Sequence, residues 1–253
     1  LDGKEWIKRT KSVWFSEAPK RDPLKVQHPA TFSEKDIKKL IEFFTKPKEV
    51  VLDPFLGSGT VAVVCRDTGR RCIGIELYQE WLNMAKERVG IFNSDIRLIQ
   101  GDAIEELRKL EEECVDYIIT SPPYWGILKK IDHKAKRERL SKNLAINYGQ
   151  HEKDLSLIES YDDFLNAIEK HFAEYYRVLK RGRYVSIVVS DFRHKDRYYM
   201  FHSDAGSRLE RVSFLLQGLI ILVQDNKHLY PYGYPTTFVP NINHQFILIA
   251  RKP

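Results

Sequence analysis

The chain has 253 residues, of which 43% are hydrophobic and 30% charged, a balance that excludes a wholly disordered protein and fits one globular domain. The 41 Lys and Arg against 35 Asp and Glu give a net charge of +6, which favours an anionic partner. The three cysteines suit neither a disulfide framework nor a zinc site, and no apolar run reaches the roughly 18 residues of a membrane helix. We therefore expect a cytoplasmic protein with no metal and no membrane partner.

Apolar runs and turn residues predict strands and helices in alternation. In chain order the predicted elements are a strand at 50–53, a helix at 61–68, a strand at 72–76, a helix at 79–89, strands at 96–100 and 115–120, a helix at 161–179 and strands at 184–190, 216–224 and 245–250. Gly182 is predicted to cap the long helix, so that the cations beside it would lie at a helix end.

This alternation predicts an α/β fold with a mostly parallel sheet, helices on both faces and a C-terminal antiparallel hairpin. In such sheets the ligand crevice lies at the carboxyl ends of the strands. We expect a single domain over residues 1–253. An N-terminal arm at 1–35 and a basic insert at 126–154 do not follow the strand–helix pattern, and we expect both to recognise the substrate.

A glycine-rich turn at residues 53–60, with the sequence Asp-Pro-Phe-Leu-Gly-Ser-Gly-Thr, follows the first predicted strand. Such turns let the backbone approach a nucleotide-like ligand, but the glycines alone do not distinguish a nicotinamide dinucleotide from S-adenosylmethionine. Glu76 ends the next strand, where its carboxylate can accept both ribose hydroxyls. Asp102 follows the third strand and can accept an adenine amino group. The structural alternatives are a plain turn, a surface ion pair for Glu76 and a helix cap for Asp102.

A Ser-Pro-Pro-Tyr sequence at residues 121–124 directly follows the strand at 115–120. Two prolines remove two N–H donors, so this turn offers acceptors that suit an amino group. If the Ser121 hydroxyl and the Pro122 carbonyl accept its two hydrogens, the nitrogen lone pair is freed to attack a methyl sulfonium. Tyr124 can stack on a planar substrate, while Trp125 either extends this wall or belongs to the core. Asp191 is either a later proton acceptor or a strand-end turn residue.

These motifs together resemble the S-adenosylmethionine-dependent amino-methyltransferases of the cytosine-N4 and adenine-N6 family, known as DNA methylases. The resemblance implies a class I methyltransferase fold with a Rossmann-like sheet, and S-adenosyl-L-methionine as cofactor. A segment that resembles the one holding the methionine end of that cofactor, His28, Pro29, Ala30 and Thr31, lies upstream. The full set of predicted cofactor-binding residues is His28, Pro29, Ala30, Thr31, Asp53, Phe55, Gly57, Gly59, Thr60, Glu76, Asp102 and Ala103; the predicted catalytic residues are Ser121, Pro122, Pro123 and Tyr124.

Two further segments suit a nucleic acid. The insert is rich in lysine and arginine, and it follows the turn near which the phosphates beside an extruded base would lie. The alternative is that these cations form an ordinary solvated surface. An aromatic turn at 230–235 either stacks bases or packs the terminal hairpin. The predicted substrate-binding residues are Trp125, Lys129, Lys130, Lys134, Lys136, Arg137, Arg139 and Tyr232.

In the family that the motifs resemble, a serine at the first position of the tetrapeptide favours cytosine. Because little of the chain remains to read a long DNA site, we expect methylation of the cytosine 4-amino group in a structured RNA, ribosomal RNA above all, after the base leaves its stack. DNA cytosine-N4 or adenine-N6 methylation is the first alternative, and methylation of a protein glutamine amide the second. A nicotinamide-dependent oxidoreductase and an inactive binding module are more distant alternatives.

Overall fold

The computed structural model describes residues 2–17, 33–90, 94–126, 149, 151–225 and 227–253. The helices in these ranges are α1 Gly3–Arg9, α2 Glu34–Phe44, α3 Thr60–Thr68, α4 Gln79–Val89, α5 Ala103–Arg108, α6 Tyr161–Val178 and α7 Phe201–Arg211. The strands are β1 Val13–Phe15, β2 Val50–Asp53, β3 Arg71–Glu76, β4 Ile96–Gln100, β5 Val115–Thr120, β6 Leu179–Val189, β7 Phe192–His194, β8 Arg197–Tyr199, β9 Leu215–Val223 and β10 His244–Arg251.

One large sheet organises the chain. Eight strands lie in the order β1-β9-β10-β6-β5-β2-β3-β4, while β7 and β8 pair separately. All neighbours in the large sheet are parallel except at β10, which is antiparallel to both β6 and β9. The prediction of a mostly parallel sheet with a C-terminal antiparallel pair is confirmed.

Helices cover both faces of this sheet, as predicted. One apolar cluster joins the sheet to α2, α3 and α4, with Ile41, Val61 and Leu82 at its centre. A second cluster on the opposite face includes Leu107 of α5 and Phe201 of α7. Each of these side chains is at most 2% exposed, and burial of one such side chain contributes about 1.5–3 kcal/mol.

Helix α6 has a clear sequence cause. The side chain of its N-cap Ser160 accepts a hydrogen bond from the backbone N of Asp163 at 3.3 Å, which satisfies one of the free donors of the first turn. Phe164, Ile168 and Phe172 then recur at four-residue spacing and are all buried, so that one face of the helix packs on the sheet. None of the helices in the described ranges has the length and apolarity to cross a membrane.

The N-terminal arm contributes to the fold more than the sequence indicates. Its strand β1 pairs in parallel with β9 at the sheet edge, and Trp14 points inward at 7% exposure between exposed neighbours. Helix α2, which begins at Glu34, buries Ile37 and Leu40. Three residues are too few for an alternating pattern to be detected in the sequence.

The prediction that Gly182 caps the long helix is wrong. Helix α6 ends at Val178 and β6 begins at the next residue, so Gly182 lies inside the strand with φ 74. A positive φ favours glycine in a strand irregularity as much as in a helix cap. The neighbouring cations therefore form ion pairs across the sheet: Lys180 and Arg183 lie 2.8 Å and 3.3 Å from Oδ1 of Asp116.

Candidate active site

A cleft with about 970 Å³ of empty space opens at the carboxyl ends of the central strands. Three of the predicted motifs border it, namely the glycine-rich turn after β2, the acidic end of β3 and the Ser-Pro-Pro-Tyr turn after β5. Its described lining residues are Pro54, Phe55, Leu56, Gly57, Ser58, Thr60, Glu76, Leu77, Tyr78, Gly101, Asp102, Ala103, Ser121, Pro123, Tyr124, Lys153, Asp154, Leu155, His171 and Gln245.

The glycine-rich turn needs its glycines for packing. Gly59, with φ 79, precedes α3, and a Cβ placed there would lie 2.7 Å from the Cβ of Ala85 in α4. Gly57 also has a positive φ, of 52. Only glycine lets the turn lie so close to α4. Gly57 and Thr60 line the cleft, whereas Gly59 lies behind them.

A buried hydrogen bond joins the two halves of the site. Asp53 is 1% exposed, and its Oδ1 accepts hydrogen bonds from Oγ1 of Thr120 at 2.7 Å and from the backbone N of Phe55 at 3.2 Å. Burial raises the pKa of Asp53 to about 7, against the lowering effect of these two hydrogen bonds. Asp53 does not line the cleft. It holds the turn after β2 against the end of β5.

Glu76 lies at the end of β3 and faces the cleft at 8% exposure. Its two carboxylate oxygens accept hydrogen bonds from the backbone N of Gly57 at 2.8 Å and of Tyr78 at 2.9 Å. Burial raises the pKa of this carboxyl to about 7. A backbone hydrogen bond from Leu77 also acts on this carboxylate. Since a carboxylate has about four acceptor sites, Glu76 keeps a site for a hydroxyl donor of a ligand.

Asp102 caps a helix and also lines the cleft, so its predicted role in binding the adenine amino group stays a prediction. Its Oδ1 accepts a hydrogen bond from the backbone N of Glu105 at 3.1 Å and so caps α5. The same residue, together with Gly101 and Ala103, lines the cleft. The helix cap orients the carboxylate and leaves its second oxygen for a ligand.

The Ser-Pro-Pro-Tyr turn continues β5, which lies beside β2 in the sheet. Ser121, Pro123 and Tyr124 line the cleft, while Pro122 is buried and does not. The hydroxyl of Tyr124 accepts a hydrogen bond from Nε2 of Gln245 at 3.1 Å. Burial raises the pKa of Tyr124, so the phenol stays neutral at physiological pH and its ring borders the cleft in a fixed position.

Several lining residues escape sequence reasoning. Tyr78 donates its hydroxyl to Oδ2 of Asp154 at 2.8 Å and accepts the backbone N–H of His151 at 3.0 Å. His171 and Gln245 reach the cleft from α6 and β10. No local motif marks these side chains, because long-range packing brings them to the cleft.

Some predicted residues lie elsewhere. Trp125 is 7% exposed and packs against Tyr161, with its Nε1 donating to the carbonyl of Ile158 at 2.9 Å. Tyr232 packs against Tyr230, with ring centroids 5.5 Å apart, and does not line the cleft.

Asp191 likewise does not line the cleft. It is 4% exposed, and its Oδ1 lies 2.7 Å from Nδ1 of His202 and accepts the backbone N–H of His202 at 3.1 Å. This arrangement agrees with the alternative in which Asp191 is a turn residue at the end of a strand.

Two sets of predicted residues fall outside the described residues: the segment His28, Pro29, Ala30 and Thr31, and the cations Lys129, Lys130, Lys134, Lys136, Arg137 and Arg139. Their roles stay predictions. Within the described ranges, no three His, Cys, Asp or Glu side chains are grouped to hold a metal ion.

Comparison with known proteins finds two family models. The model described as "DNA methylase" matches residues 2–87 and 115–253. The model described as "RNA cap guanine-N2 methyltransferase" matches residues 48–146.

Curated relatives align over shorter stretches. The type II methyltransferase M.XycI of Xanthomonas campestris pv. cyanopsidis is 38% identical over 90 residues, which are 36% of this chain and 29% of that enzyme. M.Cfr9I of Citrobacter freundii is 46% identical over 67 residues, 26% of this chain and 22% of that enzyme. The aligned part thus spans less than a third of either relative.

A solved structure shares the fold. An S-adenosylmethionine-dependent methyltransferase of Methanosarcina mazei superposes with a TM-score of 0.51 at 14% identity, covering 84% of this chain and 96% of that one. At this identity the likeness concerns the fold, which is that of the class I methyltransferases.

The residues of the cleft fit S-adenosyl-L-methionine. Oγ1 of Thr60 is buried with no hydrogen-bond partner among the described residues, and it lies at the start of α3, where free N–H groups and the helix dipole suit a carboxylate. Glu76 and Asp102 offer acceptors for hydroxyl and amino groups. S-adenosyl-L-methionine is the cofactor. The match to the DNA methylase family model covers most of this chain, and the chain therefore belongs to the DNA methylase family.

Proposed function

We propose that this protein methylates the 4-amino group of cytosine in DNA. One observation carries the proposal: the turn after β2 and the Ser-Pro-Pro-Tyr turn line one cleft. The 2.7 Å hydrogen bond between Thr120 and Asp53 joins the strands from which the two turns begin. A cofactor bound against the first turn and an amine held by the second would therefore be neighbours, and proximity of this kind is a large part of catalysis.

The bound cofactor supplies an electrophilic methyl group on a positively charged sulfur. The Ser-Pro-Pro-Tyr turn offers hydrogen-bond acceptors to the substrate. The Ser121 hydroxyl, which lines the cleft, accepts one hydrogen of the exocyclic amine, which weakens the delocalisation of the nitrogen lone pair into the base. The Pro122 carbonyl is the proposed acceptor for the other hydrogen, although Pro122 is buried and does not line the cleft before a base binds. No strong base is needed first, because the amine becomes acidic only as it gains the methyl group. The methylated nitrogen would then release one proton to water, since Asp191 does not line the cleft.

Tyr124 is the stacking partner for the base. Extrusion of a base from a duplex costs a few kcal/mol, and stacking on an aromatic side chain returns about 1–3 kcal/mol. The hydrogen bond from Gln245 to the Tyr124 hydroxyl fixes the ring before the base arrives, so less side-chain entropy is lost on binding.

The choice of DNA rests on family membership and on the type II methyltransferases among the relatives. The choice of cytosine rests on Ser121. A structured RNA is the second candidate, favoured by the partial match to an RNA methyltransferase model over residues 48–146. Methylation of a protein glutamine amide has no comparable support from the family or from these relatives.

The test is a transfer assay with S-adenosyl-L-methionine labelled in its methyl group. Purified protein is incubated with unmodified genomic DNA, with total RNA and with a protein extract, followed by mass spectrometry of the released nucleosides. We expect N4-methylcytosine in DNA with the wild type and at least fivefold less of it, at equal time, with Tyr124→Ala. Label in N6-methyladenine would reject the cytosine assignment, label in RNA alone would reject DNA, and label in protein alone would reject both polymers.

A further inference from the structure

His171 is a buried imidazole in the wall of the cleft. It belongs to α6, is 4% exposed and lines the cleft beside Phe55, with ring centroids 5.4 Å apart and planes at 37°. A polar ring at this depth needs defined hydrogen-bond partners. Nothing in the family resemblance or in the methyl transfer described above uses it.

The hydrogen bonding of the ring fixes its tautomer. Nδ1 lies 2.8 Å from the carbonyl oxygen of Ala167. A carbonyl oxygen can only accept, so Nδ1 carries the proton. Burial lowers the pKa of His171, which keeps the ring neutral at physiological pH. Nε2 therefore has a free lone pair, and none of the described residues donates a hydrogen bond to it.

A second acceptor lines the same cleft. Asp102 is a lining residue, as His171 is, and only Oδ1 of the Asp102 carboxylate is used in capping α5. Glu76 occupies the neighbouring strand end, where it suits ribose hydroxyls. A ligand group between His171 and Asp102 must have hydrogens to donate to both, and among the groups of an adenosine only the exocyclic amine carries two on one atom.

We propose that Nε2 of His171 accepts a hydrogen bond from the exocyclic amino group of the cofactor's adenine, with Asp102 accepting the other hydrogen. His171 is then a specificity residue for the cofactor base. The inference rests on the cofactor assignment and is independent of which polymer or base is methylated. A cofactor with hypoxanthine in place of adenine carries a carbonyl oxygen at this position, which would face two acceptors and be disfavoured.

Calorimetric titration with S-adenosyl-L-homocysteine and S-inosyl-L-homocysteine tests this preference. We expect the wild type to bind the adenosyl compound more tightly. His171→Phe keeps a ring against Phe55 but removes the acceptor, so the affinity for the adenosyl compound should fall about 3- to 10-fold, the range for one neutral hydrogen bond. The affinity for the inosyl compound should stay the same or rise. Phe55→Leu is the matched control, in which both affinities should fall together.

An unchanged preference in His171→Phe would overturn the proposal, because it would mean that the ring only packs. A measurement on the wild type covers the case in which this variant does not fold. With ¹⁵N-labelled histidine, NMR should find the His171 proton on Nδ1, and the Nε2 resonance should move when the adenosyl compound binds. A proton on Nε2, or an Nε2 resonance that does not respond, would also overturn the proposal. If neither compound bound the wild type, the cofactor assignment itself would fail.

Discussion

Replacement of Thr120 by valine tests how the two halves of the site are joined. Thr120 is fully buried, and its hydroxyl donates the 2.7 Å hydrogen bond to Oδ1 of Asp53. Valine has the same shape but no hydroxyl. The Asp53 carboxylate would then keep only the backbone N–H of Phe55, at 3.2 Å.

The expected loss of stability depends on pH. The pKa of Asp53 is about 7 in the folded protein and near 4 in an unfolded chain, so the folded state binds the proton more tightly. The contribution of Asp53 to the free energy of unfolding is greatest below about pH 4, where the acid is protonated in both states. This contribution falls as the pH rises from about 4 through 7, by roughly 4 kcal/mol in all. The Thr120 hydroxyl lowers the pKa of Asp53 and thus limits this loss. We expect Thr120→Val to cost about 1 kcal/mol near pH 5, where the acid is neutral, and about 2–3 kcal/mol near pH 9, where it is charged.

Urea denaturation of the wild type, Thr120→Val and Thr120→Ser at about pH 5 and pH 9 measures these free energies of unfolding. The serine variant retains the hydroxyl, so its loss should be small and similar at the two pH values. The raised pKa of Glu76 affects all three proteins and cancels in the differences. Equal losses for Thr120→Val at both pH values would refute the coupling between this hydroxyl and the charge of Asp53.

Three further predictions concern the proposed function. Tyr124→Ala should lower turnover at least fivefold while cofactor affinity, measured by calorimetry, stays nearly unchanged, because stacking of about 1–3 kcal/mol is lost only for the substrate. Gln245→Met, which removes the donor to the Tyr124 hydroxyl, should lower kcat several-fold and leave cofactor affinity intact. Neutralisation of Lys134, Lys136 and Arg137 together should weaken nucleic-acid binding and reduce the slope of log affinity against log salt by about 2–3.

Each of these has a contradicting outcome. Full turnover by Tyr124→Ala would remove stacking from the mechanism. Wild-type kcat in Gln245→Met would mean that the Tyr124 ring is positioned by packing alone. A salt slope identical to that of the wild type would mark the three cations as solvated surface without a role in binding phosphates.

Strands β2 to β5 and helices α3 and α4 could be predicted from sequence to within one residue at each end, whereas the short helix α5 between β4 and β5 was not predicted. The β-branched runs of β2 and β5 and the left-handed Gly69 after α3 are local signals. The predicted acids at the ends of β3 and β4, Glu76 and Asp102, both line the cleft, because parallel strands end at one edge of a sheet whatever their order. Sheet geometry alone thus gives the position of such side chains.

Beyond the end of a strand, closeness in sequence to a cleft residue does not predict whether a side chain lies in the cleft. Trp125 directly follows Tyr124, yet its indole is buried against Tyr161, because the chain turns into the second apolar cluster there. His171 looks like one polar residue on a mostly apolar helix face. Only the packing of α6 on the sheet brings it beside Phe55, and that packing depends on contacts far apart in the chain.

The reversed direction of β10 explains one feature of the site that parallel strands cannot provide. Parallel strands deliver their last residues to the carboxyl edge of the sheet, as β5 does just before Ser121. Because β10 runs antiparallel to β6 and β9, it delivers its first residues to that same edge, and Gln245 is the second residue of the strand. Its Oε1 accepts from Nε2 of Gln224 at 3.0 Å, while its own Nε2 donates to Tyr124. The antiparallel pair of β9 and β10 therefore also holds the aromatic ring on which the proposed substrate base stacks.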